Sequence, residues 1–281
     1  MNHLVIQGED IATPLLKELA RLSAATGIER VNARCFRLRG VQAAPASLQQ
    51  IASLCDAARL DCALVPAGRK LGAMGLVVMD MDSTLISIEC IDEIADLQGI
   101  KPQVAAITAS AMRGEIDFAE SLRRRVALLA GLPQDALHRV YQERLRLSPG
   151  AEAMLAAMHQ AGVRSMLVSG GFRFFTERLK ERLGLAYTLA NELEIEDGKL
   201  TGRIPGAIVD AEAKAAAVRK LRGELGIEAG QVIGIGDGAN DLPMLREAGV
   251  SVAYRAKPAV RAEANHAINH CGLDAVLNLF E

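Results

Sequence analysis

Four short apolar runs, Leu76–Met79, Ser165–Val168, Val232–Ile235 and Val250–Ala253, recur between segments of helical period in this 281-residue chain. They read as continuous apolar runs rather than alternating ones, so a strand built from any of them must be covered on both faces. Buried strands separated by helices imply a parallel sheet with helices packed on either side. An α/β fold is therefore expected from about residue 73 onward. Such a sheet binds its ligands beyond the carboxyl ends of the strands. There the runs give way to polar residues: Asp80 and Asp82 after the first, Ser169-Gly170-Gly171 after the second, and Gly236-Asp237-Gly238-Ala239-Asn240-Asp241 after the third. In extended backbone, residues two apart share a side, so Asp80 and Asp82 are placed to face one substrate together.

Half of the residues are hydrophobic and the mean hydropathy is +0.17, enough for a sizeable core. The formal net charge of -2 gives no electrostatic footprint for nucleic acid, and no run resembles a polybasic membrane patch. Glu9, Asp10, Lys17 and Glu18 interrupt any signal-peptide core, and no apolar run is long enough to span a bilayer. A soluble, cytoplasmic protein without nucleic-acid or membrane partners is expected. The five cysteines, Cys35, Cys55, Cys62, Cys90 and Cys271, form no CxxC pair and read as reduced core filler.

The turn-rich, charged Pro66-Ala67-Gly68-Arg69-Lys70 suggests a boundary between a small module at residues 1–72 and a larger unit at 73–281. In the module, an apolar start at Leu4-Val5-Ile6 precedes an amphipathic stretch from Ile11 to Ala25. A strand at Val31–Leu38, a helix at Pro45–Ala58 and a last strand at Asp61–Val65 follow. This α+β order resembles ACT-like modules, and a packing, regulatory or homodimerisation role is open to it. In the larger unit, more than one crossover's worth of helical sequence separates the first two runs, which reads as an inserted cap at about residues 89–147. Asp197-Gly198 carries the strongest hairpin signal.

Carboxylates this dense repel each other and would repel a phosphate, so the cluster requires positive charge. Asp80, Asp237 and Asp241 offer hard oxygen donors suited to Mg²⁺, with no His or Cys among them. Lys214, amid small alanines on the stretch before the third run, is the candidate second cation. Taken together, DMDST at Asp80–Thr84, the Ser169-Gly170-Gly171 turn, Lys214 and GDGAND at Gly236–Asp241 resemble the four ordered motifs of the haloacid dehalogenase superfamily of aspartate-nucleophile phosphatases. The stretches DMDSTLISIECIDEIA and MRGEIDFAESLRRRV resemble its phosphoserine phosphatase branch.

The resemblance implies a Rossmann-like core with a helical cap and Mg²⁺-dependent hydrolysis of O-phosphoserine, the last step of serine synthesis. Asp80 would be the nucleophile and Asp82 the general acid and base, with Mg²⁺ held by Asp80, the Asp82 backbone carbonyl and Asp237, and Asp241 in support. Ser169, Gly170, Gly171, Lys214 and Asn240 would bind the phosphate. In the cap, Glu89 would meet the substrate ammonium, Arg125 its carboxylate, and Met112 and Phe118 would form an apolar lid. Of Arg123-Arg124-Arg125, helical geometry lets only some serve one pocket.

Rival readings are a phosphotransferase sharing the first half-reaction, a phospho-accepting signalling module, and a dinucleotide site at Gly234–Ala239, which fits G-x-G-x-x-A. Asp237 and Asp241 in the loop oppose the last of these. His266 and His270, four apart, lack a third ligand, so a surface or capping role is expected for them.

Overall fold

The computed structural model describes residues 1–281. The first unit comprises β1 (Asn2–Gln7), α1 (Thr13–Leu22), β2 (Gly27–Asn32), β3 (Cys35–Val41), α2 (Pro45–Ala57) and β4 (Asp61–Pro66). Its antiparallel sheet has the order β2-β3-β1-β4, the ferredoxin-like interleaving of two βαβ units. The single strand expected at Val31–Leu38 is instead broken by a turn at Ala33-Arg34. The Asn32 side-chain oxygen accepts from the Arg34 amide at 2.8 Å, and this local turn outcompetes the ladder.

Every residue of β1 after Asn2 is buried, because both faces of this sheet are covered. Leu4, Ile6 and Leu38 pack under the two helices with Leu16, Leu19, Ile51 and Cys55. The alternate set, Val5, Cys35, Ala63 and Val65, belongs to the same continuous core as Val250, Leu273, Val276 and Phe280 of the larger unit. Two buried charges complete the joint. The Asp61 carboxylate accepts from the amides of Asn269 at 2.7 Å, His270 at 3.1 Å and Cys271 at 2.8 Å. Arg37, 5% exposed, donates to the carbonyls of Phe280 at 2.7 Å and Asn278 at 3.3 Å.

The larger unit runs β5 (Leu76–Met79), α3 (Cys90–Leu97), α4 (Lys101–Met112), α5 (Phe118–Ala127), α6 (Asp135–Arg139), α7 (Ala151–Gln160) and β6 (Arg164–Phe172). It continues through α8 (Arg173–Leu183), β7 (Tyr187–Asn191), β8 (Ile195–Glu196), β9 (Lys199–Leu200), α9 (Ala211–Leu225) and β10 (Val232–Gly236). Last come α10 (Leu242–Arg246), β11 (Val250–Tyr254), α11 (Pro258–Glu263) and β12 (His266–Ile268). Six strands form one parallel sheet in the order β12-β11-β10-β5-β6-β7. All four apolar runs became strands. The edge strands β7 and β12 correspond to no apolar run: β7 is mixed in polarity and largely half-buried, and β12 is only three residues long.

From β5 the chain winds outward through β6 and β7, then returns to the other side of β5 at β10. The crevice beyond β5 and β10 is thus the topological switch point, where such sheets bind ligands. Helices α3 to α6 lie between β5 and β6 as the cap. The β8–β9 hairpin forms at Asp197-Gly198, both at positive φ. It docks on residues 131–134 beneath the cap, with the Gly131 and Gln134 amides bonding to Leu200 and Gly198 carbonyls. None of its residues lines the cleft.

Candidate active site

After β5 the backbone makes one wide turn, in which the Leu85 and Ile86 amides donate to the Asp80 and Met81 carbonyls. Ser83 is held at φ 56 within it, a conformation that costs a non-glycine residue about 1–3 kcal/mol. The turn sends Asp80 and Asp82 into a cleft of about 600 Å³ between cap and sheet. The Asp82 carboxylate is anchored by the Cys90 amide at 2.9 Å and lies 3.4 Å from Ser169 Oγ. Ser169 Oγ in turn accepts from the Gly171 amide at 2.8 Å. The sequence reads Ser169-Gly170-Gly171 as a turn, but it is the irregular end of β6, where the register to β7 shifts between Val168 and Phe172. Glycine is required there by close approach, since a Cβ at 171 would sit 2.7 Å from Asp82 Oδ2, and one at 170 only 2.8 Å from Phe118 Cζ.

Behind the acids, Lys214 rises from the first turns of α9, a helix whose start is capped by Asp210 accepting from the Ala213 amide at 2.9 Å. It is 1% exposed and donates to Asp80 Oδ1 at 2.6 Å and Asp241 Oδ1 at 2.8 Å. Lys214 therefore sits behind Asp80 rather than on the cleft wall. Its burial would lower its pKa, but the two carboxylates outweigh burial and raise it, so the ammonium is retained. Asp80 is pushed well up by burial and by Asp241, with Lys214 opposing.

Carboxylate oxygens of Asp80, Asp237 and Asp241 lie within 4.8 Å of one another. Their bonding separates them. Asp241 Oδ1 receives Lys214, while Oδ2 accepts from the Asp237 and Gly238 amides at 3.1 and 3.0 Å. Asp241 is thereby committed to holding the loop, leaving Asp80 and Asp237 as the free hard-oxygen donors. Burial, then Asp241, raises Asp237 to about 6. Two crowded carboxylates with elevated proton affinity, and no soft ligand beside them, fit a hard divalent cation. Thr84 Oγ1 donates to Asp237 Oδ1 at 3.0 Å and fixes that side chain.

The cleft brings Glu89, Met112, Phe118, Arg125, Ser169, Gly170, Gly171, Asp237 and Asn240 together with Asp80 and Asp82. Glu89 accepts from Ser83 Oγ at 2.7 Å. Burial and then Asp82 raise it to about 7, although the residue remains exposed on the cleft side. Arg125 faces in, its pKa lowered by burial against the pull of Asp92 and Glu89. Arg124 pairs outward with Glu120 at 2.6 Å and Arg123 is exposed, so one arginine of the three lines the cleft. Met112, 69% exposed, stands at the mouth.

Other expectations are corrected. Gly236 is glycine because a Cβ there would meet the Asp241 carboxylate at 2.6 Å, so the G-x-G-x-x-A spacing serves an acid and no pyrophosphate. His266 is neither at the surface nor a cap. It is buried in β12, bonded to Arg69 at 3.0 Å, with burial and then Arg69 lowering it to about 4.

Three contributors were missed. Thr84 and Asn191 carried no periodic signal. Asn191 donates to the Gly170 carbonyl and accepts from the Val209 amide, both at 2.8 Å. Lys257 also lines the cleft. It follows the fourth apolar run, and the strand-end rule that singled out Asp80 would have found it.

A profile of the haloacid dehalogenase-like hydrolases matches residues 77–246, and the chain belongs to that family. A second profile, a domain of unknown function, matches residues 4–51. Within the family the chain falls with the phosphoserine phosphatases. It is 55% identical over 215 residues to the phosphoserine phosphatase of Polaromonas sp., covering 75% of this chain and 91% of that protein. A crystal structure of a family hydrolase from Salmonella enterica serovar Typhi aligns over 100% of this chain and 98% of its own, with TM-score 0.91 and 33% identity. A phospho-aspartyl intermediate analogue of a phosphoserine phosphatase aligns over 74% of this chain and 99% of its own, with TM-score 0.69 and 37% identity.

Proposed function

We propose that this protein hydrolyses O-phosphoserine to serine and phosphate through a phospho-aspartyl intermediate on Asp80, completing serine synthesis. The observation that carries the reaction class is the Asp80–Lys214–Asp241 ion cluster at the switch point, with Asp82 and Ser169 beside it. The substrate rests on the phosphoserine phosphatase relatives and on the opposed charges of Glu89 and Arg125 in one cleft.

An Asp80 carboxylate oxygen attacks phosphorus, forming the acyl phosphate as the bond to the seryl oxygen breaks. Asp82 donates its proton to that oxygen, since an alkoxide is a poor leaving group. Burial raises the Asp82 pKa despite the Cys90 amide, which suits a group that must arrive protonated. Asp82 then takes a proton from the water that attacks the acyl phosphate, releasing phosphate and restoring Asp80. Ser169 Oγ and the Gly170 amide receive the non-bridging oxygens, with Lys214 supplying charge from behind Asp80. Asp80, Asp237 and the Asp82 carbonyl would hold Mg²⁺, which when bound neutralises phosphoryl charge. Glu89 and Arg125 take the ammonium and carboxylate, a pairing suited to a small zwitterion.

A panel of small phosphomonoesters, with and without Mg²⁺, tests this reading. Asp80→Asn is expected to abolish turnover. Arg125→Ala is expected to lower kcat/KM for phosphoserine by about 10²-fold, the weight of a lost charged contact, while sparing esters without a carboxylate. Equal losses on both substrates would remove Arg125 from the pocket. Release of serine without label exchange into added alcohols separates hydrolysis from phosphotransfer.

A further inference from the structure

Five carboxylates face the cleft: Asp80, Asp82, Glu89, Asp92 and Asp237. Lys214 is buried behind them and committed to Asp80 and Asp241, and Arg125 stands at the cap end. A phosphate dianion arriving from solvent therefore meets repulsion before it reaches any bound cation. One cation remains on the sheet side of the cleft, Lys257.

Its placement is built. At the end of β11, Arg255 is held at φ 46, a left-handed conformation that side chains rarely adopt. Its amide donates to the Ile268 carbonyl at 2.7 Å, which locks the turn to β12. Ala256 is buried beneath, and the Lys257 carbonyl accepts from the Val260 and Arg261 amides at 3.0 and 3.1 Å, with Pro258 opening α11. The backbone is thus fixed while the ammonium is exposed at the rim. Arg255 itself turns away, its guanidinium over the Tyr254 ring at 5.3 Å, so Lys257 alone carries charge to the cleft from this turn.

We propose that Lys257 is the entrance cation of the cleft, a side chain presented at the rim by a strained turn that draws phosphomonoester dianions past the cleft's own carboxylates. This deepens the phosphomonoesterase reading and rests on it. Lys257 takes no part in bond making, so its contribution lies in capture: a cleft lined by one sign of charge focuses the field, and a rim charge of opposite sign raises the local concentration of substrate. The effect is long-range, and salt screens it as the Debye length falls to about 3 Å at 1 M.

Steady-state kinetics of Lys257→Gln, Lys257→Arg and Lys257→Glu on phosphoserine, across ionic strength, test the proposal. At low salt, Lys257→Gln is expected to lose about fivefold in kcat/KM, from one charge acting on a dianion through water, with kcat within twofold. Lys257→Arg retains the parent value, Lys257→Glu loses more than Lys257→Gln, and the differences shrink below twofold at high salt. Calorimetric titration with inorganic phosphate in Mg²⁺ buffer gives a second readout independent of the amino-acid substrate, with affinity weakened about fivefold in Lys257→Gln at low salt only. Inactivity of the parent protein on phosphoserine would defeat the substrate reading but leave the phosphate titration to decide Lys257. Unchanged phosphate affinity at low salt, a deficit that persists at high salt, or a fall in kcat would each overturn the entrance role.

Discussion

Thr84 and Glu89 illustrate how single side chains set the site's balance of charge. Thr84 is fully buried and gives its one hydroxyl hydrogen to Asp237. Thr84→Val keeps the shape and removes that bond, so Mg²⁺ affinity is expected to fall about 10- to 100-fold, as for other partners that orient a ligand. Titration of activity against free Mg²⁺ measures it. Glu89 has a folded pKa of about 7, above its ordinary 4.5. An acid raised in this way holds its proton more tightly when folded, so its ionisation opposes folding. The cost starts as pH passes about 4.5 and is complete above about 7. Thermal melts in chelator are therefore expected to show Glu89→Gln more stable than the parent at pH 8, by about 1 kcal/mol after solvent screening. The two should melt alike near pH 4. The same variant should bind phosphoserine less well, because the carboxylate whose ionisation opposes folding is the one proposed to meet the ammonium.

At the level of elements, catalytic groups on β5, β6, α9 and β10 must be held in register, and Asn191 at the end of β7 is the tie. Its amide donates to the Gly170 carbonyl and accepts from the Val209 amide, linking the serine-glycine segment to the chain that enters α9 and Lys214. A carboxamide supplies donor and acceptor on separate atoms, so one side chain reaches both backbone groups. Asn191→Asp keeps the acceptor and turns an oxygen against the Gly170 carbonyl. It is expected to lower unfolding free energy by about 1–3 kcal/mol and to reduce kcat by about tenfold or more as the segment shifts. Urea denaturation and kinetics at saturating substrate read the two effects separately. The cap meets this same segment through Phe118 against Gly170, so cap position and phosphate cradle are one packing problem.

For the whole molecule, the first unit is joined to the second by buried polar bonds as well as apolar contact. Asp61 holds three backbone amides and Arg37 two carbonyls. Asp61→Ala strands those amides in a buried joint and is expected to cost about 2–4 kcal/mol of unfolding free energy, measured by denaturant titration. Phosphoserine kinetics at 25 °C should be nearly unchanged, because the joint lies at β12 and the residues after it rather than at the cleft. No helix of the chain is long and apolar enough to cross a membrane.

Much of the architecture was legible because it follows from local rules. Continuous apolar runs become doubly covered strands, and the acids that end them stand at the strands' carboxyl ends, which located Asp80, Asp82, Ser169 and Asp237. The same rule was not carried to the fourth run, so Lys257, weighed only for a dinucleotide's ribose phosphate, was not placed at this cleft. Asn191 was not legible at all, and Thr84 only as the last residue of DMDST, since their partners lie far off in the chain and a polar residue's periodicity says nothing about which distant group it will meet. Sequence determined the sheet, the cap and the acids at the strand ends, because burial and strand direction are properties of short segments. Tertiary structure decided which acids bind Lys214, which carboxylate oxygens stay free for a cation, and which cation stands at the cleft rim. Those choices depend on distances of a few ångströms between segments that only folding brings together.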